Sequence, residues 1–324
     1  MPDGTPNRPP RPIRDAAGLV GAGLLDPALA PEVEALSRRY AIALTPAVQA
    51  LIARPDDPVG LQYVPHPDEA VTRPWEVADP TADAPHTPVK GVVHRYPDRA
   101  LLKPLLACPV YCRFCFRREV VGPDGGLLTE AELDAALGWF GRTPAVREAI
   151  LTGGDPLMLS PRRLSGIVAR LAAMPHIEVI RLHSRVPVAD PVRVTEALVA
   201  ALDCGKPVYL CVHANHAREF SAGAAAALDR LSRVGVVLLG QSVLLRGVNN
   251  SVEALEALFR AMLRHRVKPY YLHQLDRAPG TARFEVPEAE GLALMAALRG
   301  RISGLAQPTY VRETPGGGGK VPVR

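Results

Sequence analysis

From position 101 onward the chain repeats one pattern, and that pattern restricts the folds open to it. Apolar, often β-branched runs recur at 101–106, 149–152, 179–183, 208–212, 236–239 and 267–272. After the first interval their starting points fall about 30 residues apart, the length of one strand-plus-helix unit. Between them, 161–173, 191–202, 221–233 and 252–265 carry apolar residues at helical spacing. Strands alternating with helices build a parallel sheet with helical crossovers. Six such units predict an α/β fold, a partial TIM barrel, with a doubly wound open sheet as the alternative.

Parallel α/β folds place their sites beyond the C-terminal strand ends, and unusual polar residues fall at those ends here. Cys108, Cys112 and Cys115 follow the first strand, Gly153-Gly154-Asp155 the second, and His183-Ser184-Arg185 the third. His213-Ala214-Asn215-His216 follows the fourth, Gln241 and Ser242 close the fifth, and His273 and Asp276 follow the sixth. One such residue is an ordinary loop group. Six strands delivering them to one rim predict a site.

The cysteines have the spacing C-x3-C-x2-C, within C-P-V-Y-C-R-F-C-F-R-R. Three thiolates hold an iron–sulfur cubane by three corners and leave the fourth iron open to a ligand. Competing readings are a buried cysteine stripe on a helix and a zinc site in a binding module, which needs a fourth ligand. A disulfide is disfavoured by the odd local count. Cys204 and Cys211 read as core residues.

The 324 residues suffice for one large domain. Lysine and arginine exceed aspartate and glutamate by 38 − 33 = 5. That excess is small and dispersed, so no nucleic-acid partner is expected. No apolar run approaches the ~20 residues of a membrane span, and no membrane partner is expected. The N-terminus lacks an export signal, which with free cysteines predicts a cytoplasmic protein. Residues 1–15 are proline-rich and read as a disordered tail. Residues 16–95 read as a mostly helical N-terminal region, with Leu36, Tyr40, Leu44, Val48 and Leu51 at helical spacing and a helix start at Thr45-Pro46. The barrel is expected over 96–285, and a C-terminal helix with a short lysine-bearing segment over 286–324.

Two further stretches carry chemistry. His94-Arg95-Tyr96-Pro97-Asp98-Arg99 offers two guanidinium forks and a hydroxyl suited to a phosphate, or else is a solvated basic turn. Pro315-Gly316-Gly317-Gly318-Gly319-Lys320 fails as a phosphate-binding P-loop, because Thr314 and Val321 stand where Gly and Ser or Thr are needed. Its glycines let backbone approach a flat ligand and let Lys320 reach inward, where a lysine forms a Schiff base with an aldehyde cofactor. A flexible tail is the plain alternative.

The cysteine motif resembles that of radical S-adenosylmethionine (SAM) enzymes, and Gly153-Gly154-Asp155 resembles the Gly-Gly-acid motif that meets the SAM amino group there. Taken in order, H-R-Y-P-D-R, C-P-V-Y-C-R-F-C-F-R-R, L-T-G-G-D-P-L, S-R-V-P-V, H-A-N-H, Q-S-V-L-L-R-G-V-N, K-P-Y-Y-L-H-Q-L-D and P-G-G-G-G-K resemble successive motifs of the lysine 2,3-aminomutase family. The resemblance implies a [4Fe-4S] cluster on Cys108, Cys112 and Cys115, SAM, and pyridoxal phosphate (PLP) on Lys320. It implies that Arg95, Tyr96 and Arg99 hold the PLP phosphate, that Arg117 binds the substrate carboxylate, and that Gln241, His213 and Asn215 line SAM. An electron donor such as flavodoxin or ferredoxin is implied as a partner. In the family's lysine enzymes two aspartates hold the distal ammonium. One matches Asp276, and the other matches Glu313. A cationic amino acid is therefore expected, lysine or the shorter ornithine. The ending just after Lys320 resembles the short branch that makes β-lysine for elongation factor P.

Overall fold

A computed structural model describes residues 11–314 and 319–324. Nine strands form one sheet in sequence order: β1 (Val92–Tyr96), β2 (Arg99–Leu105), β3 (Glu148–Gly153), β4 (Val179–Ser184), β5 (Val208–His213), β6 (Val237–Val243), β7 (Lys268–His273), β8 (Thr309–Thr314) and β9 (Gly319–Pro322). Strands β2 to β8 are parallel; β1 and β9 pair antiparallel at the two ends. The six strands expected from the sequence are β2 to β7, and the sheet is a nearly closed barrel.

Helices on the outside bury the sheet's outer face. Pro161–Ala172 buries Leu164, Ile167, Val168 and Leu171, and Val252–Arg264 buries Leu255, Leu258, Phe259 and Met262. Both start at a serine, Ser160 and Ser251, whose hydroxyl accepts from the third helical N–H. These side chains join β3, β4 and β5 residues such as Ala149, Leu151, Ile180, Leu182 and Leu210 in the main core.

The N-terminal region departs from expectation. Residues 16–95 hold only short helices, Ala16–Gly21, Ala30–Ser37, Pro46–Gln49 and Gly60–Tyr63, with three 3-10 turns, and end in β1. Eight prolines between 55 and 90 remove the amide donors a longer helix needs. The expected tail over 1–15 is corrected in part: Ile13 is buried and bridges Leu44, while residues 1–10 lie outside the described residues. The C-terminal stretch is also more than a short appendage, because Glu288–Arg299 and β8 add a seventh parallel strand. Among the described residues no helix is long and apolar enough to cross a membrane.

Candidate active site

The barrel is hollow. A cavity of about 930 Å³ runs inside it, bordered by Cys108, Cys112 and Cys115, by Gly153, Gly154 and Asp155, by His213, Gln241 and Asp276, and by Arg95, Tyr96, Arg99, Arg117, Glu313 and Lys320. All the expected site residues except Asn215 therefore border one space.

The cysteine loop is clamped from the N-terminal side. Arg113 and Arg118 are fully buried, and both donate to the carboxylate of Glu69, Arg113 at 2.6–3.0 Å and Arg118 at 2.5 Å. Arg283 approaches the same carboxylate at 3.4 Å. Arg118 also lies 3.7 Å from the centre of the Tyr40 ring. Backbone bonds from Tyr111 to Ala43 and from Arg113 to Gln62 complete the clamp. Burial pushes the Glu69 carboxyl up, but the guanidinium groups outweigh it and hold the group below the ordinary glutamate value. Glu69→Gln leaves buried cations uncompensated and is expected to cost about 3–5 kcal/mol. Chemical denaturation measures this; an unchanged unfolding midpoint counts against the clamp.

Burial raises the pKa of all three thiols, that of Cys115 to about 11. Binding iron must therefore displace protons. Among the described residues no three His, Cys, Asp or Glu side chains converge to hold a single metal ion. Three thiols on one loop bordering the cavity could each bind a different iron of a cubane.

Gly153 and Gly154 serve backbone packing. Gly153 has φ +107, and a Cβ there would lie 2.6 Å from the Leu105 carbonyl oxygen; at Gly154 it would lie 2.2 Å from that of Ala107. Gly154 and Asp155 donate their N–H groups to these same carbonyls, tying β3 to the chain entering the cysteine loop. The Asp155 carboxylate, expected to face an ammonium, accepts from the Ser184 hydroxyl at 2.7 Å and from the N–H groups of Leu157, Arg185 and Val186 at 2.7–3.1 Å. Its partners are thus protein groups. Burial raises its pKa despite these four donors. Asn215 alone among the expected site residues is placed elsewhere. It is buried outside the cavity lining, donating to Gln62 Oε1 at 3.0 Å and accepting from Val243 N–H at 2.8 Å. By contrast, the buried Nε2 atoms of His183 and His213 have no hydrogen-bond partner among the described residues. Both residues border the cavity, as places a ligand would occupy.

At the barrel's closing seam, Glu313 and Lys320 face each other as paired residues of β8 and β9. The Lys320 ammonium donates to Glu313 Oε1 at 2.5 Å, and Arg95 pairs with Glu313 Oε2. Arg95 also donates to the Thr81 carbonyl, and Arg99 to Asp98 at 2.7 Å. Across the seam, Lys320 N–H donates to the Tyr96 hydroxyl at 2.7 Å, and the Arg99 guanidinium lies 3.7 Å from the Tyr96 ring centre. A Cβ at position 319 would lie 2.0 Å from that hydroxyl, and Gly319 has φ +81, so glycine is required beside the lysine. The rest of the expected glycine loop, 315–318, lies outside the described residues. Arg117 pairs with Asp83 at 3.0 Å, a partner the sequence did not suggest. Asp276 sits apart from these pairs. Burial pushes its carboxyl up to about 7; the neighbouring Glu313 adds to the rise, and Lys320, Arg117 and Arg95 oppose it.

The chain matches no protein-family model. It is 40% identical to the L-lysine 2,3-aminomutase of Acetoanaerobium sticklandii over 284 residues, 87% of this chain and 69% of that one. It is 39% identical to the L-lysine 2,3-aminomutase of Escherichia coli over 270 residues, 83% of this chain and 78% of that one. The chain belongs to the lysine 2,3-aminomutase family. Among solved structures, a radical SAM methyltransferase from Sphaerobacter thermophilus is 18% identical over 68% of each chain, with a TM-score of 0.47.

In this aminomutase-family chain Asp276 and Glu313, the two acids expected at a distal ammonium, border one cavity with Lys320. Sequence reasoning passed over several lining residues: Asp83, Arg181, Tyr209, Tyr270 and Tyr271. Alternation along β4, β5 and β7 was the available signal, since Arg181 and His183, Tyr209 and His213, and Tyr271 and His273 share the inward face at even spacing.

Proposed function

We propose that this chain is a SAM- and PLP-dependent lysine 2,3-aminomutase, an isomerase that moves the α-amino group of L-lysine to its β-carbon. The observation carrying this reading is a single cavity bordered at once by three thiols, a lysine amine and the half-buried carboxylate of Asp276. A [4Fe-4S] cluster with SAM would supply a hydrogen-abstracting radical, and PLP would carry the migrating nitrogen.

The chain's own residues then have definite tasks. Cys108, Cys112 and Cys115 hold the cluster, and Gly153, Gly154, His213 and Gln241 border the space for SAM. Tyr96 and Arg99 offer a hydroxyl and a fork to the PLP phosphate, and Arg95 joins them by exchanging Glu313 for it. Lys320 anchors the cofactor. Arg117 receives the substrate carboxylate in exchange for Asp83, and Asp276, with Glu313 opposite, receives the distal ammonium. Enclosure by the barrel excludes water and holds the reacting atoms in position.

Asp276→Asn is expected to lower lysine turnover by roughly two to three orders of magnitude, as loss of one buried counter-charge predicts. The wild-type affinity for lysine should rise with pH through about 7, because the carboxylate that binds the cation forms there. In Asp276→Asn that rise should vanish. Steady-state kinetics across pH, with lysine and ornithine, test both statements; an Asn variant that turns over lysine normally refutes this assignment. Anaerobic turnover after cluster reconstitution, with products identified by NMR, tests the function itself. The elongation factor P destination belongs to the same proposal. Intact-mass analysis of that factor, from cells with and without this chain, should differ by one lysine residue.

A further inference from the structure

Arg185, in the S-R-V-P-V stretch, has no role in the reading above, yet it is buried and both of its terminal guanidinium nitrogens are hydrogen-bonded. Its backbone N–H donates to Asp155 at 2.7 Å. Its guanidinium donates through Nη2 to Glu219 at 2.6 Å and Gln62 at 2.5 Å, and through Nη1 to Cys112 Sγ at 3.3 Å. The rings of Tyr63 and Phe114 lie 4.8 and 5.4 Å from it. Glu219 is itself fixed by the N–H groups of Asn215 and His216 at 2.7 and 2.9 Å. A buried cation anchored at both ends thus directs one N–H at a sulfur.

We propose that Arg185 is a positioning residue that sets the reduction potential of the iron–sulfur cluster through its hydrogen bond to Cys112. The inference rests on Cys112 being a cluster ligand, as proposed above. Reduction adds one electron to the cluster and makes its sulfurs more negative. A buried positive donor on one of them stabilises the reduced form and raises the potential. Glu219 offsets part of that charge, but the N–H dipole still points at sulfur. The arrangement also links the N-terminal region, through Gln62 and Tyr63, to the electronic state of the cluster.

The test compares wild type, Arg185→Lys and Arg185→Gln after anaerobic reconstitution, by EPR-monitored redox titration, with iron and sulfide counted in each. In Arg185→Gln the ratio of reduced to oxidised cluster at a fixed potential should fall about tenfold, a shift of about 59 mV for one electron. Arg185→Lys keeps the charge without the fork and should fall between the two. A purely structural role would change cluster content without moving the potential of the clusters that remain. An unchanged potential in a fully loaded Gln variant overturns the proposal. Should the Gln variant bind no cluster, pulsed EPR on protein labelled with guanidino-15N arginine decides: a nitrogen coupling in wild type that disappears in Arg185→Lys supports it, and its absence overturns it. A wild-type chain that assembles no cluster overturns the proposed function, and this inference with it.

Discussion

Cys112→Ala is expected to abolish SAM cleavage and to leave only a minor fraction of the iron. The cysteine loop supplies three thiols to the cavity, and removing one leaves two corners of a cubane without protein ligands. Cys112 is also the thiol that accepts from Arg185, so its loss leaves a buried donor without its acceptor. The rest of the clamp, built on Glu69, Arg113 and Arg118, does not involve Cys112, so the apo fold should survive. Iron and sulfide analysis, with deoxyadenosine measured by chromatography, separates loss of the cluster from loss of the fold. A variant with a full cluster and normal turnover would falsify the cluster assignment.

Lys320→Ala should lower aminomutase turnover by roughly 10³-fold or more, the order expected when a covalent anchor is lost. SAM cleavage should persist in part, because the cysteines sit on the loop after β2 while Lys320 sits on β9. The Lys320 backbone N–H bond to Tyr96 does not depend on the side chain and should keep the seam in place. Borohydride treatment followed by peptide mapping reads the anchor directly: wild type should carry PLP on Lys320 and the variant none. PLP fixed to another lysine in the variant would move the anchor elsewhere.

Strands β2 to β7 were legible because strands buried on both faces need continuous apolar runs, and such runs survive in the sequence without context. The strands it did not disclose are those at the edges and seam. β1 reads V-V-H-R-Y and β9 reads G-K-V-P, short and polar, and their strand character comes from pairing with β2 and β8. The apolar spacing of Leu36, Tyr40, Leu44 and Val48 was mistaken for one helical region. Leu36, near the end of a short helix, packs in one cluster with Tyr40, which lies beneath Arg118, whereas Leu44, which bridges Ile13, and Val48 pack in another.

The three thiols and the rim of polar strand ends were legible in the chain itself, because successive parallel strands must deliver their C-terminal residues to one end of the barrel. The roles of Lys320, Asp276 and Glu313 came only with the family resemblance. Only the tertiary structure decided which of these groups pair with one another. Glu313 meets Arg95 across 218 residues of sequence, Arg185 reaches Cys112 across 73, and Glu69 reaches Arg118 across 49. Such pairs form when the sheet curls until its ends approach and the N-terminal region packs over the cysteine loop. Charge pairing depends on distance in space and on exclusion of water, and residue spacing encodes neither for groups so far apart. Asp155, which the resemblance places at the SAM amino group, borders the cavity and also takes four donors from the fold itself, partners that residue spacing does not disclose.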